Sequence, residues 1–232
     1  MESSRVTRRG SLAKLGGLLA TVVGGGAWQA VSAEARAGGP AGVASGAVKC
    51  VLTPELTEGP FFIAGERNRR NITDGRPGAA LRLRLSVVDA STCRPLKGAA
   101  VDIWHADAGG VYSGFAQGAS SRTFMRGVQK TDAAGLVIFD SVYPGWYQGR
   151  TVHIHVKVHV GGNVVHTGQL FFDDAMTDSV YRQSPYSKRP TRDTRNANDS
   201  IFVNGGSKSL VAVASNGSGG YAGSITMGVH AA

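Results

Sequence analysis

The stretch Arg150-Thr-Val-His-Ile-His-Val-Lys-Val-His-Val160 alternates without a break. Ile154, Val156, Val158 and Val160 fall on one face and His153, His155, Lys157 and His159 on the other, the period-two pattern of a strand with one face in a core and one polar. Outward from it, β-rich runs at 81–89, 99–104, 136–140, 151–160, 164–172, 209–214 and 223–229 are separated by Gly, Pro, Asn and Asp. Each run is too short to bury a face unless it pairs within stacked sheets, and no strong amphipathic helix of about ten residues or more interrupts them. The expected class is therefore all-β, an antiparallel β-sandwich with long loops. Residues 173–200, with Pro185 and Pro190, read as one such loop, a lid or polar surface.

The 232 residues, 42% hydrophobic and 18% charged, suffice for one domain with its own core. At the N-terminus Thr7-Arg-Arg-Gly-Ser-Leu-Ala-Lys14 precedes a Gly-, Ala-, Leu- and Val-rich stretch, and small residues follow at Val31-Ser-Ala33 and Ala35-Arg-Ala37. That order of basic, apolar and cleavable segments reads as a signal peptide over 1–33, and the paired Arg8 and Arg9 give it a twin-arginine character. Gly16, Gly17 and Gly24–Gly26 dilute the apolar run below what a membrane anchor needs. Residues 34–49 read as a flexible linker and 50–232 as the domain, with no later segment able to span a bilayer. Cleavage at 33 removes Arg5, Arg8, Arg9, Lys14 and Glu2, taking the net charge from +9 to +6. Arg182, Lys188, Arg189, Arg192 and Arg195 form a basic stretch without interleaved stacking aromatics, so it reads as a solvated loop and not as a nucleic-acid surface. Cys50 and Cys93 are the only cysteines. An oxidising compartment permits a bridge clamping the N-terminal segment to the sandwich, the alternative being two buried thiols.

His153 and His155 lie about 6.6 Å apart along a strand rising about 3.3 Å per residue, so both imidazoles can converge on one metal ion. His159, about 13 Å beyond His155 by the same rise, cannot join them and reads as an exposed strand histidine. Directly upstream, Pro144-Gly-Trp-Tyr-Gln-Gly-Arg150 is a turn that delivers Tyr147 and Arg150 to the start of the histidine strand. Nothing local ties Tyr112 to a metal, since an aromatic after a turn is ordinarily packing.

Five ordered motifs carry a resemblance: Leu52-Thr-Pro-Glu-Leu-Thr-Glu-Gly-Pro-Phe-Phe62; Val101-Asp-Ile-Trp-His-Ala-Asp107 with Gly110-Val-Tyr-Ser-Gly114; Tyr143-Pro-Gly-Trp-Tyr147; Arg150-Thr-Val-His-Ile-His155; and Thr167-Gly-Gln-Leu-Phe-Phe172. Over roughly residues 50–205 the chain resembles the intradiol ring-cleavage dioxygenases, the family of catechol 1,2- and protocatechuate 3,4-dioxygenases. The resemblance implies Tyr112, Tyr147, His153 and His155 as ligands of one Fe(III) per chain. It places Arg150 and Gln169 beside them, and Pro60 and Phe61 near the substrate. It further implies a catechol-type substrate cleaved with O2 to a cis,cis-muconate, with Tyr147 both ligand and base. Phenolate and imidazole suit a hard ferric ion, and a fixed cation at Arg150 would stabilise negative charge developing on the ring. His105, His166 and His230 match no ligand position and read as satisfied core or pocket-edge histidines.

Only five residues separate Tyr147 from His153, a shorter loop than in the well-known cytoplasmic enzymes, and their helical dimerisation region has no counterpart. Substrate identity and oligomeric state stay open, a homo-oligomer included. Two other readings compete. One is a secreted β-sandwich binding module for carbohydrate or protein, which fold alone does not exclude. The other is a zinc or copper enzyme using the His-x-His pair, which lacks the third histidine, thiol or carboxylate usual around those ions.

Overall fold

The computed structural model describes residues 50–231, so the expected signal peptide and linker lie outside the described residues. Among the described residues eight strands form two four-stranded sheets. One has the order β4-β1-β8-β7, from β1 (Ala80–Asp89), β4 (Leu136–Val142), β7 (Ala212–Ser215) and β8 (Tyr221–Val229). The other has the order β3-β2-β5-β6, from β2 (Ala100–Trp104), β3 (Arg126–Lys130), β5 (His153–Val160) and β6 (Asn163–Phe171). Alternation decides the inner faces. Leu81, Leu83, Leu85 and Val87 of β1, with Ile225, Met227 and Val229 of β8, meet Val101 and Ile103 of β2, Ile154, Val156 and Val158 of β5 and Leu170 of β6. Arg82 and Arg84 point outward. Pairing is antiparallel except between β1 and β8, which run parallel, so the first sheet is mixed.

Three expectations need correcting. β3 was not anticipated, because Arg126-Gly-Val-Gln-Lys130 has no apolar alternation. It exists through pairing: β2 lies on one side, and residues 67–69 hydrogen-bond to Val128 on the other. Gly127 is required there, since a Cβ would come 2.7 Å from Ile72 Cγ2.

Second, His159 was expected to be exposed but lies on a covered face, whose His153, His155 and Lys157 are all buried. Residues 54–62 cover it, held by Leu56 N donating to Thr167 O (3.0 Å), Gln169 Nε2 to Thr57 O (2.8 Å) and an ion pair between Lys157 and Glu58. His159 is accordingly half-buried, not exposed.

Third, residues 173–200 contain helix α1 (Asp174–Tyr181) and short 3-10 turns at Tyr186–Lys188 and Asn196–Asn198. Asp173 caps α1 by accepting from Met176 N at 3.0 Å, and Arg192 is buried between Asp174 (2.5 Å) and Asp178 (2.8 Å). Polar anchoring rather than an apolar stripe holds the segment, so hydrophobic periodicity could not reveal it. The solvated reading survives for Arg182 and Lys188 but not for Arg189 or Arg192.

Cys50 is bonded to Cys93, with a Cα separation of 5.7 Å. The bridge closes a loop spanning 43 residues, worth about 4 kcal/mol in the chain-entropy model. Cys93→Ser is therefore expected to lower unfolding stability by about 2–4 kcal/mol in denaturant titrations. An unchanged midpoint, in the variant and under reductant alike, would remove the clamp from the account. Among the described residues no helix is long and apolar enough to cross a membrane.

Candidate metal centre

Strand β5 points His153 and His155 to the same side, with their Nε2 atoms 3.1 Å apart. His153 Nδ1 lies 2.7 Å from Thr151 O, which assigns the proton to Nδ1 and leaves a lone pair on Nε2. The His155 ring stacks flat on Trp104, centroids 5.0 Å apart, and its Nδ1 is buried without a partner. Gly59 packs against the Cε1 corner of that ring: a Cβ there would lie 3.0 Å from His155 Cε1, and its φ of +71° is a glycine conformation. Burial pushes the His153 imidazole down to about 3 and His155 well below the usual range, so both present neutral rings.

Tyr147 reaches this pair from the 143–147 turn, its hydroxyl 3.2 Å from His153 Nε2. Tyr112 comes from the turn after β2, its ring centroid 6.1 Å from His155 and 5.5 Å from Tyr147. Asp107 shapes that turn: Oδ1 accepts from Gly109 N (2.9 Å) and Val111 N (3.0 Å), while Oδ2 accepts from Arg76 Nε (2.7 Å). The Tyr112 hydroxyl is buried with no hydrogen-bond partner. Burial pushes both phenols above their ordinary range, Tyr112 the further. In this pocket only a strong cation would turn them into phenolates.

Behind these four side chains runs a polar relay. Arg150 Nη2 donates to Gln169 Oε1 (2.5 Å) and Arg150 Nε to Asp199 Oδ2 (2.8 Å). Asp199 is completely buried and also accepts from Thr151 N, Ile201 N and Phe202 N at 2.8–2.9 Å. Burial alone would raise its pKa, yet Arg150 and the backbone N–H groups hold it below the usual carboxylate range.

Sequence reasoning missed Asp199, Asp107, Gly59 and the Trp104 platform. The Asp199-Ser-Ile-Phe202 pattern is legible as a turn cap, but nothing in it points to Arg150, 49 positions away. Of the substrate-side candidates, Phe61 stacks on Tyr112 (4.1 Å between centroids) and meets the edge of Tyr147 (6.0 Å), whereas Pro60 is an exposed turn residue.

His105 is a satisfied core histidine, bonded to Ala106 O and Ser141 Oγ at 2.8 Å each, and His166 is buried with Nε2 unpartnered. His230 is exposed. Burial holds His105 and His166 neutral down to about 4. Between pH 6.5 and 4 the unfolded chain binds protons that the folded chain refuses. Stability is therefore full above pH 6.5 and falls as pH drops, by about 1.4 kcal/mol per unit for each histidine. Urea midpoints of the metal-free protein should show this slope, to which the depressed His153 and His155 also contribute, and His105→Gln should lessen it by about 1.4 kcal/mol per pH unit, one histidine's share. A slope unchanged in the variant would contradict the assignment.

The donor set fits a ferric ion: the Nε2 atoms of two imidazoles meet beside two phenols, and the buried Tyr112 hydroxyl is left unpartnered. Among the described residues no group of three or more His, Cys, Asp and Glu side chains gathers to hold a metal, so any ion held here would draw on the phenols as well as the imidazoles.

Fold and site together define a β-sandwich protein with a mixed phenol and imidazole centre on one sheet. The Dioxygenase_C family model, described as dioxygenase, matches residues 57–184, and the chain belongs to the intradiol ring-cleavage dioxygenase family. It is similar to an intradiol ring-cleavage dioxygenase from Tetranychus urticae, with 38% identity, TM-score 0.75, and coverage of 78% of this chain and 96% of that one. The dioxygenase domain of a dioxygenase and carbohydrate-binding protein fusion from Streptomyces sp. SirexAA-E follows at 30% identity and TM-score 0.60, covering 78% of this chain and all of that one. Catechol 1,2-dioxygenase 2 of Acinetobacter lwoffii is 35% identical over 163 residues, 61% of this chain and 55% of that enzyme. The chain spans only about a third to three fifths of the length of the curated relatives it matches.

Proposed function

We propose that the chain is a non-haem Fe(III) enzyme that opens a catechol-type ring between its two hydroxylated carbons with O2, giving a cis,cis-muconate. The observation that carries this reading is the convergence of Tyr112, Tyr147, His153 and His155. These four would hold one Fe(III) per chain, which when bound supplies the Lewis acidity and electron-accepting character that make a catecholate reactive towards O2. The protein's own part is derived from its side chains. Buried Tyr112 is a fixed donor. Half-buried Tyr147 is the one a substrate can reach, and its Oη is the atom that takes up a substrate hydroxyl proton. Phe61 offers an apolar edge beside both phenols. Arg150, locked by Gln169 and Asp199, keeps a cation ready for negative charge developing on the ring, at little reorganisation cost.

The test is to incubate iron-loaded protein with a panel of simple, carboxylated, hydroxylated and chlorinated catechols. Oxygen uptake matching loss of the aromatic spectrum is the expected result. Colourless, iron-free protein inert across the panel would instead support a binding module.

We further propose export of the folded protein by the twin-arginine route, on the strength of Arg8-Arg9 and the mild apolar run after them. Arg8→Lys with Arg9→Lys should leave precursor in the cytoplasm, and undiminished secretion would overturn this.

A further inference from the structure

The two histidines are fixed by one strand, but the two tyrosines stand on separate turns, and neither turn is paired to β5 by a sheet ladder. Their mutual placement depends on how the turns meet. Gly145 N donates to Asp107 O at 3.0 Å, and a Cβ on Gly145 would collide with Asp107 O and Ala108 O. A Cβ on Gly110 would collide with Trp146 O and come 2.7 Å from Arg189 Nη2. Arg189 therefore sits where the turns touch. Its Nη2 donates to Trp146 O (2.7 Å), one residue before Tyr147, and its Nη1 to Ala108 O (3.3 Å), four before Tyr112. The guanidinium also lies over the Trp146 ring, 4.8 Å from its centroid. The same segment grips the Tyr147 turn twice more, through Tyr181 Oη to Pro144 O (2.9 Å) and Tyr186 Oη to Tyr143 O (2.6 Å).

Resting on the proposed ferric centre, we infer that Arg189 is a positioning residue that fixes the separation of the Tyr112 and Tyr147 hydroxyls by bridging their two turns. Only a planar fork donates to two carbonyls at once while stacking on an indole, so a lysine cannot replace it fully.

The experiment compares wild type with Arg189→Met, Arg189→Lys and, as a control, Arg182→Met, which removes an exposed arginine of the same segment bonded only to Ser179. Four quantities are read: Fe(III) retention against a chelator, the position and width of the visible phenolate-to-iron absorption, the thermal midpoint, and kcat and KM for catechol. Arg189→Met is expected to shift and broaden the absorption. It should weaken iron retention and lower kcat by about 10- to 100-fold, the usual cost of losing a residue that orients metal ligands, with KM changed far less. Arg189→Lys should recover part of each, and Arg182→Met should match wild type.

A lower thermal midpoint with wild-type absorption, iron retention and kcat would overturn the inference, leaving Arg189 a purely structural role. Should Arg189→Met fail to fold, wild-type absorption and kcat in Arg189→Lys would overturn it equally. Wild-type protein that binds no iron and takes up no oxygen would defeat the proposed function itself, and this inference with it.

Discussion

His155→Ala is expected to give folded protein that holds no iron, shows no visible colour and loses catechol turnover by at least about 100-fold. Even outer partners of metal sites cost 10- to 100-fold when removed, and His155 is one of four converging donors. The substitution leaves space beside the Trp104 face, on which the ring now stacks. It strands no other polar group, because His155 Nδ1 has no partner to lose and His153 Nε2, 3.1 Å from His155 Nε2, keeps the Tyr147 hydroxyl. Folding should therefore survive, at a cavity cost of roughly 2–3 kcal/mol. Metal analysis, the visible spectrum and a thermal melt check this together, and a variant that keeps stoichiometric iron and colour would refute the site.

Arg150→Ala is expected to do the reverse: iron and colour stay, while turnover falls by about 10²- to 10³-fold, as when a preorganised electrostatic donor is removed. This variant should also be less stable. Asp199 is completely buried and loses its cation, and stranding one member of a buried pair costs about 3–5 kcal/mol. Asp199→Asn separates the two effects, since its amide oxygen can still accept from Ile201 N and Phe202 N while its NH2 group replaces the oxygen that served Thr151 N and Arg150 Nε, leaving Arg150 in place but less firmly held. An intermediate fall in kcat with iron content unchanged is the expected result. Loss of iron in Arg150→Ala would show that the relay holds the ligands rather than serving the substrate.

The elements legible in the sequence are those whose burial repeats every second residue. Leu81, Leu83 and Leu85 announced β1, and Ile154, Val156 and Val158 announced β5. β3 and α1 escaped because neighbouring backbone and buried ion pairs hold them, and these leave no local pattern. The parallel β1–β8 pairing was equally invisible, since alternation states which face is inward but not which strand lies alongside. Within the site, the histidine pair follows from alternation and Tyr147 from the turn before it. Tyr112 was reachable only through the Trp104-to-Tyr112 motif, for its approach depends on Asp107 and on a turn 33 to 34 residues later in the chain, at Gly145 to Trp146. Asp199 and Arg189 carry the least signal of all: an isolated polar residue says nothing about the carbonyl or guanidinium it will meet across the fold.

The segment that roofs the histidines is fastened at Thr53, whose N–H bonds Gly228 O at 2.9 Å, and Gly228 must lack a side chain for Val51 to pass. Gly228 belongs to β8, an inner strand of its sheet and the last of those described. During synthesis the roof is made first and this anchor point last, so its N-terminal end at Thr53 is tied down only after β8 has left the ribosome and inserted beside β1, whereas Leu56, Thr57 and Glu58 can already dock on β5 and β6. A nascent chain stalled short of β8 would thus keep the roof fastened at its far end while the stretch around Val51 to Thr53 hung loose.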